Sequence, residues 1–146
     1  EFLVLSKLLL TNIQAYKTYI NFEGYDLVCV NPEKNLSAKI QVKSKNFKGD
    51  SSFYLNDDKK AKPDFYVSAQ TNAIRRKPKS GQHILIPSNE IEPKLYLLST
   101  KDVKKYRKKD KKGTLYILLS SIPDKENYLN NWDKIKKFLK IPIGVI

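Results

Sequence analysis

The sequence predicts an α/β protein with a central mixed β-sheet flanked by helices. Three observations carry this. Leu36–Lys45 (LSAKIQVKSK) alternates apolar and polar residues, the period-two pattern of a half-buried strand. Asn130–Leu139 (NNWDKIKKFL) places Trp132, Ile135, Phe138 and Leu139 on one face of an amphipathic helix, with Pro142 beyond it. Between these lie short β-branched and aromatic runs separated by turn signals. The chain has 146 residues, 40% of them hydrophobic. That is enough for one domain over residues 1–146 with a sizeable core.

The elements follow in order. Glu1–Leu10 (EFLVLSKLLL) is Leu-rich and reads as a helix, with Glu1, Leu5 and Leu8 near one face and Thr11-Asn12 to end it. Ala15–Ile20 reads as a strand, Asn21–Gly24 as a turn and Tyr25–Val30 as a second strand. Asn31-Pro-Glu-Lys-Asn35 is a turn signal leading into the strand Leu36–Lys45. In that strand Ala38, Ile40 and Val42 point one way, and Lys39, Gln41 and Lys43 the other. Ser52–Leu55, Phe65–Ala69, His83–Pro87 and Leu95–Leu98 are short strands. Gln70–Gln82 is polar and basic and reads as a loop. Lys101–Lys109 reads as a basic helix and Leu115–Ser120 as a buried strand.

Composition excludes several function classes. One cysteine (Cys29) rules out a disulfide framework and CxxC zinc sites, and one histidine (His83) rules out a histidine zinc triad. Five glycines, none in a Walker or dinucleotide pattern, argue against nucleotide-cofactor enzymes. No apolar run approaches the roughly 18 residues that span a bilayer, and Phe2–Leu10 is broken by Ser6 and Lys7. That stretch also lacks a basic n-region and a cleavage site, so no signal peptide is expected. A lone cysteine fits a reducing compartment, and the expected location is cytoplasmic, with no membrane partner. The formal net charge is +13, built from 25 Lys and only 3 Arg. Such a charge on a small globule suits a polyanionic partner, although the codon usage of an AT-rich genome also enriches lysine.

Chemistry concentrates in Gly24-Tyr25-Asp26-Leu27-Val28-Cys29-Val30 and Lys39-Ile40-Gln41-Val42-Lys43-Ser44-Lys45. If the two strands pair through the Asn31–Asn35 turn, Asp26 approaches Gln41 and Lys43, which share a face as i and i+2 neighbours. This arrangement resembles the PD-(D/E)xK nuclease superfamily, and especially its small homing-type and restriction-like endonucleases. The resemblance covers Glu1–Lys45. It implies a restriction-endonuclease-like fold and a Mg²⁺-dependent endonuclease acting on double-stranded DNA, with Mn²⁺ able to substitute. Asp26, Gln41 and Lys43 match the family's Asp and (Glu/Asp/Gln)-x-Lys positions. Glu1, followed by Phe-Leu-Val-Leu, fits the position of a glutamate in its first helix. The implied metal ligands are Asp26, Gln41, Glu1 and the Val42 carbonyl, with Lys43 beside the attacking water or the phosphate. Two departures stand: Gln41 replaces the commoner carboxylate, and Tyr25 replaces the proline.

Candidate DNA contacts are Lys45 and Lys48, continuing the basic side of the third strand, and Arg75, Arg76, Lys77 and Lys79 in the basic loop. The run Lys101–Lys112 holds eight basic residues against two acids, and reads as a solvated helix or a DNA contact. Cutting both strands of a symmetric site requires two clusters, so a homodimer or homotetramer is expected. Two other readings remain: a catalytically inactive nucleic-acid-binding protein on the same fold, and a basic module that binds protein or RNA.

Overall fold

The computed structural model describes residues 1–19, 24–46, 52–55, 62–71, 73–76, 84–87 and 92–144. Helix α1 (Phe2–Leu10) is followed by strands β1 (Gln14–Lys17), β2 (Leu27–Asn31), β3 (Leu36–Asn46), β4 (Ser52–Tyr54), β5 (Phe65–Thr71), β6 (Ala73–Arg76), β7 (Ile84–Pro87) and β8 (Lys94–Ser99). Helix α2 (Thr100–Tyr106), β9 (Lys108–Lys109), β10 (Leu115–Leu118) and helix α3 (Asp133–Phe138) complete the order.

The main sheet runs β1-β2-β3-β5-β8. Only β3 and β5 pair in parallel, so the sheet is mixed, as expected. The β2–β3 hairpin forms through the predicted turn, which closes as a 3-10 turn over Pro32–Lys34. Asn35 takes the left-handed conformation (φ 51°) that asparagine tolerates better than most residues. A second sheet, β4-β10-β9, and a hairpin, β6-β7, complete the strands.

Both faces of the main sheet are covered. On one face, Val4 and Leu8 of α1 and Trp132, Ile135 and Leu139 around α3 pack on Leu27, Cys29, Ala38, Ile40, Phe65, Val67 and Leu97. On the other, Tyr66, Tyr96 and Leu98 pack on Phe53, Leu55, Val103, Ile117, Leu119 and Ile122 from α2 and the smaller sheet. β5 therefore lies between two cores, and its run from Phe65 to Gln70 is buried. Truncating a fully buried leucine such as Leu8 or Leu97 would cost about 2–5 kcal/mol.

Several expected boundaries shift. In α1 the buried positions are Val4 and Leu8, and Glu1 precedes the helix without a capping hydrogen bond. β1 ends at Lys17 rather than Ile20, which lies outside the described residues. Arg75 and Arg76 belong to β6, paired with β7, and not to a loop. The cause is non-local: Ile84 and Leu85 supply their ladder partners. The basic helix stops at Tyr106, because Arg107 turns extended (ψ 144°) and Lys108–Lys109 pair with β10. The C-terminal helix begins only at Asp133, and Phe138, 46% exposed, covers the edge of the core with its ring 5.5 Å from that of Phe65. Leu115–Ser120 is a strand only to Leu118 and then a 3-10 turn. Among the described residues no helix is long and apolar enough to cross a membrane.

Candidate active site

Asp26 sits one residue beyond the Leu27–Ile40 pair that ends the β2–β3 register. Its backbone is clamped from both sides. Its N–H donates to the Ile40 carbonyl at 2.8 Å, and its carbonyl accepts from the Thr18 N–H and hydroxyl, both at 2.9 Å. Its carboxylate takes the place of a backbone carbonyl in the ladder, with the Val42 N–H donating to Oδ2 at 2.7 Å. A charge-assisted bond of this kind is short and about twice as strong as a neutral one. Gly24, two residues earlier, has φ 103°, a conformation that L side chains rarely adopt. The N–H and C=O of one residue leave a strand on the same edge. The Val42 carbonyl therefore faces the edge on which Asp26 lies.

Glu1 arrives from the start of α1. Its Oε2 pairs with Lys17 Nζ at 2.8 Å. The hydrogen bond from Lys17 holds the Glu1 carboxyl below its usual range, against the opposing effect of partial burial, and the neighbouring Asp26 side chain acts in the same direction. Glu1 and Asp26, 25 positions apart, thus meet at the end of the sheet where β2 begins. Their partners differ: Lys17 neutralises Glu1, and a backbone amide holds Asp26.

Gln41 and Lys43 alternate with the core residue Ile40 and with Val42, and so face the second layer. Both are half-buried rather than fully solvated, because α2 and the smaller sheet cover that face. The parallel register sets Gln41 beside Tyr66, Lys43 beside Ser68 and Lys45 beside Gln70. Ser68 and Gln70 are buried polar residues, and the Gln70 amide donates to the Ser68 hydroxyl at 2.8 Å. Lys45 donates to the Ser52 hydroxyl at 3.1 Å, tying β3 to β4.

Glu1 and Asp26 therefore lie at the end of the sheet where β2 begins, with the Asp26 carboxylate on the Val42 N–H, and Gln41 and Lys43 flank Val42 on β3. Arg75 and Arg76 lie on the separate β6–β7 hairpin, while Lys48, Lys77 and Lys79 fall outside the described residues. Sequence reasoning missed Lys17, Ser68 and Gln70. The Ser-x-Gln pair in an otherwise apolar strand was a readable signal. Lys17 had none, since only the fold brings it to Glu1. Cys29 is buried, which pushes its thiol up to about 12 and keeps it protonated.

Among the described residues, no three of His, Cys, Asp and Glu cluster in a way that could hold a metal ion. The ligands expected from the sequence, Glu1, Asp26, Gln41 and the Val42 carbonyl, would offer two carboxylates, one amide oxygen and one backbone carbonyl. An all-oxygen set with few charges suits Mg²⁺, which keeps several of its own waters. A separate cleft, lined by Gln14, Asn31, Glu33, Lys34 and Lys140 among others, lies at the far end of β2 and includes none of these residues.

No family model matches the chain, and no curated protein matches it. Among solved structures, the bacterial homing endonuclease I-Ssp6803I superposes on 94% of this chain and 86% of its own, with a TM-score of 0.54 at 18% identity. That protein is a member of the PD-(D/E)xK family. With its five-stranded mixed sheet between helices, the chain has the restriction-endonuclease-like fold of that homing endonuclease.

Proposed function

We propose that the protein is a Mg²⁺-dependent endonuclease that hydrolyses phosphodiester bonds of double-stranded DNA, as homing and restriction enzymes do. One observation carries the reading. On a nuclease-like fold, the Asp26 carboxylate is built into the β2–β3 ladder, and Glu1, held by Lys17, comes beside it from another element.

Asp26, Glu1, Gln41 and the Val42 carbonyl would hold the cation, and Mn²⁺ could replace it. A bound cation supplies charge neutralisation at the phosphate and a more acidic water. The protein's own groups do the rest. The clamp on Asp26 fixes its carboxylate without reorganisation. Lys17 keeps Glu1 ionised. Lys43 offers positive charge where the phosphate gains negative charge. Gln41 contributes an oxygen without charge, so metal affinity leans on Asp26, Glu1 and the DNA phosphate. The +13 charge favours encounter with DNA. A homodimer or homotetramer would bring two such sites to the two strands.

A second reading, a DNA-binding protein without cleavage, is favoured by Gln41 and by the pairing of Glu1 with Lys17. Incubating supercoiled plasmid with the protein in Mg²⁺, Mn²⁺ or EDTA separates the two. Nicked and linear products with either metal and none in EDTA are expected. Salt-sensitive binding without cleavage under any condition would establish the second reading instead.

A further inference from the structure

The proposed site accounts for few of the 28 basic residues. Their densest run folds into one feature. Lys101, Lys104, Lys105, Arg107, Lys108, Lys109, Lys111 and Lys112 are all exposed, spread over α2, β9 and the β9–β10 turn. The two acids within this run are committed elsewhere. Asp102 closes the α2 capping box with Ser99 and pairs with Lys134 at 3.1 Å. Asp110 accepts the Lys112 and Thr114 N–H groups, both at 2.9 Å, to shape the turn. The cations around them are left without local counter-charge among the described salt bridges.

The adjoining sheet supplies a second observation. In β4-β10-β9, Phe53 and Ile117 pair and are buried in the core. Their neighbours point to the opposite face. There the register aligns Tyr54, Tyr116 and Lys108 in one row across the three strands. Tyr54 is 54% exposed, and its ring lies 6.0 Å from that of Tyr116. An outward row of two tyrosines and a lysine, ending on the strand that leads into the cations of the β9–β10 turn, combines phosphate-binding charge with flat rings that pack on sugars or bases. The face connects to the proposed site through Lys45, whose ammonium reaches Ser52 at the start of β4.

We infer that the outer face of the β4-β10-β9 sheet, with the Lys101–Lys112 cations, is a DNA-binding platform that grips the phosphate backbone. The inference rests on the proposed function for its choice of DNA.

The test uses fluorescence anisotropy of a labelled duplex over a range of salt concentrations. One variant replaces Lys108, Lys109, Lys111 and Lys112 with Gln. A matched control replaces the exposed Lys34, Lys125, Lys137 and Lys140 with Gln, removing the same charge elsewhere. Each lost phosphate contact flattens the log–log salt slope by about 0.9, so the platform variant should lose about 2–4 in slope. Its affinity should fall at least tenfold, while the control slope moves by less than about 1. Tyr54→Ala should weaken binding severalfold with the slope unchanged. Equal effects of the two charge variants, or no binding by the parent protein, overturn the inference. Plasmid cleavage, run alongside, separates the two ideas. Absent cleavage with a selective binding loss in the platform variant defeats the endonuclease reading and leaves the platform standing. Normal cleavage with indistinguishable charge variants does the reverse.

Discussion

Replacing Asp26 with Asn isolates charge from shape. The asparagine oxygen can still accept the Val42 N–H, which now donates to a carboxylate at 2.7 Å. The backbone clamp from Thr18 and Ile40 is untouched. The stability lost is thus the difference between a charge-assisted and a neutral hydrogen bond, about 1 kcal/mol. For a chain of this length that lowers Tm by about 2–5 °C. Asp26→Ala removes the acceptor as well and should cost about 1–3 kcal/mol. Cleavage should respond in another proportion. Asn removes the only carboxylate at this site without an ion-pair partner among the described salt bridges. The rate should fall by at least about 10²-fold. DNA binding, carried by lysines away from this site, should stay within about twofold. Plasmid nicking, duplex anisotropy and a thermal melt on the same preparation check all three. Parental cleavage by Asp26→Asn, or a loss of binding as large as the loss of rate, refutes the placement of the site.

Gln41→Glu adds a carboxylate of nearly the same size and should shift the Mg²⁺ dependence of cleavage to lower concentration; an unmoved titration removes Gln41 from the ligand set. Lys43→Ala should slow cleavage by on the order of 10²-fold with little change in the melt, and single-turnover rates measure it. The capping-box acid gives a pH test. Burial opposes ionisation of Asp102, but the hydrogen bonds from Ser99 and Lys134 together outweigh it and hold its carboxyl below the ordinary 3.8. Its contribution is therefore present above that value and lost as pH falls through the lower folded value. Asp102→Ala should cost about 1 kcal/mol near neutral pH, a gap that narrows in melts under strongly acidic conditions; a gap independent of pH counts against the assignment. Light scattering should show an even-numbered homo-oligomer free or on DNA, and a monomer in both states excludes that assembly.

Much of the candidate site was legible because it is local. The alternation of Leu36–Lys45 sets the faces of β3. The Asn31–Asn35 turn fixes the hairpin register, which brings Asp26 level with Gln41 so that its carboxylate reaches the Val42 N–H. The C-terminal helix followed in the same way from the spacing of Trp132, Ile135 and Leu139. The remainder depends on contacts distant in sequence. Glu1 meets Asp26 and Lys17 only because α1 packs across the sheet with its first residue at that end. Gln70 read as the start of a polar loop, yet it is buried in β5 because two cores enclose that strand. Lys101–Lys112 has the composition of a single basic helix. It divides into helix, strand and turn because β10 offers Lys108–Lys109 a ladder that a continuous helix would forgo. Periodicity and turn chemistry act over a few residues, so the sequence could show which face each strand presents. Which element would cover that face, and which distant charge would meet it, was decided by packing.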